Sequence, residues 1–514
     1  MMQDRQEDNP PSSPLHTLAG QEHEPLVNTT STATPGWTPI LVLAVSSAVL
    51  GSSAQFGYNT GVYNSPQDAI RDSFEQANQS IVFGKHTKFS GTENSIAVAI
   101  FAVGGMVGAL LGGFLADIPF LGRKYTMLAN NVIIWIGALL EFFAVHPYML
   151  IAGRFVVGIN CGVNTVVAPM YITELAPISI RGKVGVLHQL AITIALLVSQ
   201  VLGISKVLGQ EGIYWRILLA LTLVLSVYQL VTLPWCPRSP RFQYILRQDE
   251  ARAIETLKHL RNTDDVSHEL EEMKAELSEL QSRPRLGLLD LIREPWMRWP
   301  LLISIGLHMS QQLSGINGIF YYSTDIFDTA GVTQPDLATI LVGVVLVTVT
   351  IVSVILIERQ GRKTLMLYGL GGMSISFILT TICFCFQEAY YSDSNKLTAP
   401  GVLSVCSALL VVFFFGIGPG SIPWFMVAEL FLQDARPAAV TVAVIVNWST
   451  NFVVGLTFQG ILDSLYPYAL LVFAGLCGFF WLFTLLFVPE TKGKSVEDIV
   501  SKFKSSSTNS KPDH

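Results

Sequence analysis

Charge is what this sequence has least of. Its 514 residues include 32 Lys and Arg and 38 Asp and Glu, 14% charged in all, against about 25% for a soluble chain. With hydrophobic residues at 50% and a mean hydropathy of +0.47, that shortage excludes an ordinary soluble domain. A net charge of −6 spread over loops and tails offers nucleic acid no basic field. Cysteine is also scarce. Cys161, Cys383, Cys385, Cys406 and Cys477 lie in apolar runs and Cys236 just after one, so neither a disulfide framework nor a metal-ligand spacing is present. No nucleophile, base and orienting group recur together, which argues against an enzyme and against a cofactor. Residues 1–36 lack the basic start and short apolar core of a signal peptide, and their Pro, Ser, Thr and acidic content reads as a disordered cytosolic tail.

What is present is a series of apolar segments, each long enough to cross a bilayer with about 20 residues. They fall near 38–63, 93–116, 124–145, 147–172, 184–207 and 213–234, then 299–322, 336–357, 363–386, 401–426, 437–457 and 465–488. The expectation is an all-α membrane protein with twelve transmembrane helices in two six-helix halves, 37–234 and 298–490. A cytosolic helical insert, 235–297, lies between them, and a tail, 491–514, follows. Arg123, Lys124, Arg181, Lys183, Arg359, Arg362, Lys363 and Arg436 occupy the loops after spans 2, 4, 8 and 10, whereas the loops after spans 3, 7 and 11 have no Lys or Arg. Both termini are therefore expected in the cytosol. The longest loop on the other face carries a glycosylation sequon at Asn78. In the insert, Val266, Leu270, Met273, Leu277 and Leu280 form one apolar stripe, expected to pack beneath the bundle.

One stretch, Ser310 to Tyr322, breaks the apolar pattern by placing Gln311, Gln312 and Asn317 inside a run from Leu301 to Phe327. A primary amide buried without partners costs several kcal/mol, so three together need something polar to meet. Neutral amides coordinate hydroxyl groups without requiring a charge, and Phe320, Tyr321 and Tyr322 can cover the apolar faces of a sugar ring. The competing use is hydrogen bonding between neighbouring helices.

The polar punctuation repeats. Gly122-Arg123-Lys124 recurs as Gly361-Arg362-Lys363, and Glu174 with Arg181 recurs as Glu429 with Arg436, the offset being seven residues in both copies. This marks a duplicated six-helix unit, the construction of alternating-access carriers. Glu174, Glu358 and Glu429 are expected to meet guanidinium groups in a cytosolic latch of modest energy.

On these residues the chain resembles the sugar porter family of the major facilitator superfamily, and most of all the animal facilitative glucose transporters. The marks are Gln55-Phe-Gly-Tyr-Asn-Thr-Gly61, Gly153-Arg154, Pro169-Met-Tyr-Ile-Thr-Glu174 with Arg181-Gly182, His188-Gln189-Leu190, Gln311-Gln-Leu-Ser-Gly-Ile-Asn317, Glu358-Arg-Gln-Gly-Arg-Lys363, Gly418-Pro-Gly-Ser-Ile-Pro-Trp424, Asn447-Trp448 and Pro489-Glu-Thr-Lys-Gly493. The resemblance implies a major facilitator fold around a central sugar site. By position, Gln189, Gln311, Gln312, Asn317 and Trp424 match residues that contact the sugar, Asn447 lines its inner path, and Tyr321 and Tyr322 match an outer gate. Leu346 and Gly416 stand where the family usually has an asparagine and a glutamate, and Arg238 where an acid is usual.

The function so implied is facilitative transport of a hexose, with D-glucose foremost and fructose or a broader hexose range as the alternative. The setting implied is the cell membrane, with the lipid bilayer and the hexose as partners. Proton symport needs a titratable carboxylate facing the path, and related symporters carry an Asp in the first span where this chain has Asn59. A non-transporting receptor would call for a long signalling tail.

Overall fold

The computed structural model describes residues 36–77, 89–282, 286–329, 332–391, 399–432, 434–494 and 496–508. The expected N-terminal tail up to residue 35, and Asn78 with its sequon, lie outside them. The first half is built from α1 (Pro39–Gly61), α3 (Gly91–Asp117), α4 (Gly122–Phe142), α5 (Pro147–Leu175), α6 (Ile178–Leu202) and α7 (Tyr214–Trp235), with α2 (Gln67–Ala77) in the loop after α1. The insert holds α8 (Glu250–Arg261), α9 (Ser267–Ser282) and α10 (Leu288–Arg293). The second half consists of α11 (Pro295–Leu313), α12 (Ile316–Thr329), α13 (Pro335–Gln360), α14 (Arg362–Tyr391), α15 (Ala399–Ile417), α16 (Ile422–Leu430), α17 (Arg436–Leu465) and α18 (Ala469–Phe487), and α19 (Val496–Thr508) follows.

Eleven helical stretches among the described residues are long and apolar enough to cross a membrane. The seventh expected segment is the exception, because Arg298, His308, Gln311 and Gln312 make its 19-residue helix α11 too polar; it is also broken in two. α11 ends at Leu313 and α12 begins at Ile316, with Gly315 between them at φ +81°, a left-handed conformation that a side chain resists. The tenth segment is broken as well, at Gly418-Pro419-Gly420 between α15 and α16. In a membrane a broken helix persists only where other groups satisfy its freed backbone.

The halves meet along two seams, α3 against α17 and α6 against α13. Counted by span these are 2 with 11 and 5 with 8. The duplication exchanges 2 with 8 and 5 with 11, so the two seams are one contact used twice.

The cores show where the halves are joined. At the sequon end one cluster includes residues of both, among them Tyr58, Phe74 and Trp215 with Tyr322, Phe377 and Phe473. Towards the insert end the core divides: one cluster holds Leu41, Tyr171 and Leu233 of the first half, another Leu307, Met366 and Met426 of the second.

The insert differs from expectation in what its stripe covers. Val266, Leu270, Met273 and Leu277 pack on Ala253, Ile254 and Leu257 of α8 rather than on the bundle. α8 then makes the docking contact: Arg261 Nη1 donates to the Leu175 carbonyl at 2.8 Å, and Thr38 Oγ1 donates to the Leu260 carbonyl at 2.8 Å. On the other half, the Leu286 amide donates to the Asp434 carbonyl at 3.1 Å.

Candidate functional site

The two helix breaks meet. Gln311, in the last turn of α11, donates through Nε2 to the carbonyls of Pro419 and Gly420 at 2.8 and 2.7 Å, satisfying acceptors that the α15–α16 break leaves free. Its Oε1 accepts from Asn447 Nδ2 on α17 at 2.6 Å and, more distantly, from Gln312 Nε2 at 3.4 Å. Gln312 Nε2 donates to Asn447 Oδ1 at 3.0 Å, and Asn317 Nδ2, across the Gly315 turn, donates to Gln312 Oε1. Gln311, Gln312, Asn317 and Asn447 are all buried. Four of the five sequence-predicted amides, Gln311, Gln312, Asn317 and Asn447, are thus one network, with Asn447 as its hub.

The capacity left over is unequal. An amide offers two N–H donors and two acceptor lone pairs. Gln311 spends all four. Asn447 uses both donors, the second on His308 Nδ1 at 3.2 Å. Gln312 Oε1 and Asn447 Oδ1 each keep one lone pair, and Asn317 keeps one N–H and its whole oxygen. Gln189 on α6 is half-buried, and its side chain makes no hydrogen bond among the described residues.

His308 was not among the expected site residues. It lies three residues before Gln311, so one turn of α11 brings the two to the same face. It is buried and sets its ring edge-on to Trp424, centroids 4.7 Å apart at 83°. Trp424 remains 41% exposed, an aromatic surface next to the amides.

Two departures from the expected pattern lie on or against α13. Leu346 is packed in the core, and a Cβ on Gly416 would lie 2.1 Å from Val349 Cγ1. α13 and α15 approach too closely there for a glutamate, so this wall is apolar where polar groups are usual.

Beyond the amides, the expected gate residues are held in place. Tyr321 donates to Asn451 Oδ1 at 3.2 Å, and Tyr322 donates to the Gly455 carbonyl at 3.0 Å while stacking on Phe458. α12 bends at Tyr322, φ −134° and ψ 15°. Hydrogen bonds then tie it to the first half: Gln67 Nε2 donates to the Tyr321 carbonyl at 2.6 Å and Asn64 Nδ2 to Ser323 Oγ at 2.7 Å. Ser205 Oγ donates to Asp336 at 2.7 Å at the same end.

At the insert end the expected ion pairs close within each half. Arg123 meets Glu174 at 2.9 Å, and its counterpart Arg362 meets Glu429 at 3.0 Å. Arg123 also reaches Asp117 at 3.2 Å. Arg181 does not pair with either glutamate; it lies in the field of Arg241, Glu272, Glu269 and Arg261 of the insert. Arg436 donates to the Phe431 carbonyl at 3.3 Å, and the side chain of Glu358 lies outside the described residues. Arg238 sets its guanidinium over the Tyr125 ring at 4.5 Å. Beyond α18, Glu490 accepts from the backbone of Arg362 at 2.9 Å and of Lys363 at 3.1 Å, anchoring the start of α14. Burial alone would raise its carboxyl, but backbone N–H groups of Lys492, Arg362, Thr364 and Thr491 outweigh that and hold it below the usual range.

In the first half, Arg154 is buried with its guanidinium over Phe101 at 4.7 Å and Tyr63 at 5.1 Å, and it donates to the Asn59 carbonyl at 3.3 Å. Glu141 is fully buried close by, against Gly153, and neither carboxyl oxygen has a hydrogen-bond partner.

The chain is 46% identical over 475 residues to the mouse (Mus musculus) solute carrier family 2, facilitated glucose transporter member 4, covering 91% of each chain. It is 41% identical over 512 residues to member 2 from Rattus norvegicus, covering 92% of this chain and 96% of that relative. Among solved structures it superposes on the xylose transporter XylE from E. coli in a partially occluded inward open conformation. The TM-score is 0.73 at 24% identity, with 89% of this chain and 100% of the other covered. The match at that identity is one of fold. The family model described as sugar (and other) transporter spans residues 44–503, and the chain belongs to that family.

Proposed function

We propose that the chain is a facilitative hexose carrier with D-glucose as its main substrate. It would work by alternating access across the cell membrane, with both termini and the insert in the cytosol and Asn78 glycosylated outside. The observation that carries this is the buried amide network: it is uncharged, it sits at two helix breaks of the second half, and its spare donors and acceptors lie on Gln312, Asn317 and Asn447 beside the open face of Trp424. Hydroxyl groups and a sugar ring fit such a set. Gln189, unpaired across the seam, would complete it. Tyr321 and Tyr322 would serve as the outer gate, a role that their hydrogen bonds to Asn451 and the Gly455 carbonyl support. The relatives' name, facilitated glucose transporter, supports the same reading. Counterflow of labelled hexoses in proteoliposomes tests it: glucose should exchange fastest, and exchange of fructose but not glucose would overturn the substrate assignment.

A second reading, proton-coupled transport, is favoured by one observation, the buried unpartnered carboxyl of Glu141 near Arg154. Against it, Asn59 cannot exchange a proton; its Nδ2 is held by the Gln55 carbonyl and Thr222 Oγ1, each at 2.9 Å. Uptake with and without an imposed pH gradient decides between them. Gradient-driven accumulation above equilibrium would replace the uniport reading.

A further inference from the structure

A cavity of about 560 Å³ opens at the insert end of the second half, remote from the amide network, between the start of α11 and the C-terminal α19. Trp296, Arg298, Trp299, Lys494, Lys502 and Phe503 line it. We propose that it holds the phosphate-bearing headgroup of an anionic phospholipid.

Its depth is set by its neighbours. α10 runs just before α11 and leaves Leu289 65% exposed, with Ile292 also exposed, and Trp299 and Phe487 are exposed beside them with their rings edge-on at 5.4 Å. Apolar side chains left uncovered at the end of a membrane helix belong in the acyl region, and tryptophan marks the boundary with the headgroups. Arg293, Arg298, Lys494, Lys502 and Lys504 are exposed around the same level. The cavity therefore lies where phosphates are.

Its charge fits the same ligand. Three of the six lining residues named are cationic, and Lys504 adds a fourth cation, set over the Trp296 ring at 4.7 Å. The one acid in the lining, Glu490, is already committed to backbone N–H groups at the start of α14. α19 presents Ile499 and Val500 inward and Lys502 and Lys504 outward, the arrangement of a helix that lies along a membrane surface. The volume is within the range of small-ligand sites.

The test uses the purified full-length protein in neutral detergent. Phosphatidylinositol 4-phosphate and phosphatidylcholine are supplied in equal amounts, and bound lipid is counted by native mass spectrometry. The anionic lipid should be retained about tenfold over the neutral one. In the double variant Arg298→Gln, Lys502→Gln, each lost cation should weaken retention about fivefold. Neither residue belongs to the proposed sugar site, so glucose counterflow should persist, and retention is read whether or not glucose is the substrate. Should the variant not fold, the retention ratio of the unaltered protein and its fall with added salt decide the matter. Equal retention of both lipids, or unchanged retention in a folded variant, would overturn the proposal. So would full competition by free inositol bisphosphate at equal concentration, which would assign the site to soluble phosphate.

Discussion

Asn447 Nδ2 donates to Gln311 Oε1 at 2.6 Å, and the Gln311 nitrogen that completes this amide donates to the carbonyls of Pro419 and Gly420. One side chain thus links three spans, 7, 10 and 11, and has nothing left to offer a solute. Gln312, its sequence neighbour, keeps a lone pair. The two glutamines should therefore fail differently when altered.

Gln311→Leu strands two carbonyls and the Asn447 amide, and each orphaned buried group costs roughly 1–3 kcal/mol. The expected outcome is a lower melting temperature and poorer expression. Gln312→Leu also leaves Asn447 Oδ1 and Asn317 Nδ2 without their Gln312 bonds and so costs some stability, but it alone removes spare capacity, and hexose affinity in the folded protein should fall about fivefold to a hundredfold. Deoxyglucoses sort the two effects: a sugar lacking the hydroxyl that Gln312 engages should bind mutant and unaltered protein almost equally. Loss of stability in Gln312→Leu with no dependence on the sugar would make both residues structural.

The duplicated ion pairs are not energetically equivalent. The side chains of Arg123 and Glu174 are 9% and 12% exposed, those of Arg362 and Glu429 23% and 26%. Removing one partner of a buried pair leaves a stranded charge and costs roughly 3–5 kcal/mol, whereas solvent-edge pairs contribute about 1 kcal/mol or less. Asp117, within 3.2 Å of Arg123, offsets part of the loss. Glu174→Ala should still lower the melting temperature more than Glu429→Ala. The reverse order would show that solvent reaches the first pair.

At the sequon end, Asn64 and Gln67 hold α12 by two buried hydrogen bonds, to Ser323 and to the Tyr321 carbonyl. Each contributes about 1 kcal/mol, and both exist in the closed state, so their loss favours opening at that end. In the double variant Asn64→Ala, Gln67→Ala, a ligand that binds the outward-facing site should bind about fivefold to thirtyfold more tightly. Unchanged affinity would mean that the stacked Tyr322 and Phe458 hold the gate alone.

Glu490 supplies a pH prediction. Its folded carboxyl lies below its ordinary value of 4.5, so its contribution is present above that value and is lost as pH falls through the folded one. Glu490→Gln should melt lower than the unaltered protein at pH 7. As pH falls below 4.5 and through the lower folded value, the two should converge as the unaltered carboxyl gains its proton. Parallel melting curves down to acid pH would remove Glu490 from the anchoring of α14.

The sequence by itself determined the class of fold, because apolar length and basic loops are local properties that a bilayer reads directly. The duplication was equally plain in Arg123 and Glu174 against Arg362 and Glu429; in space each glutamate meets the arginine at the start of α4 or α14, not the one seven residues further along the chain. Tertiary structure alone decided which amide does what. Gln311 and Gln312 are adjacent and chemically identical, yet Gln311 meets a helix break 108 and 109 residues away, and that contact uses up its donors. The break in span 7 at Gly315, the seat of His308 against Trp424, and the turn of the insert's stripe onto α8 depend likewise on neighbours distant in sequence. A polar side chain's type states what it can bond, and only the packing around it determines how much of that capacity remains for a ligand.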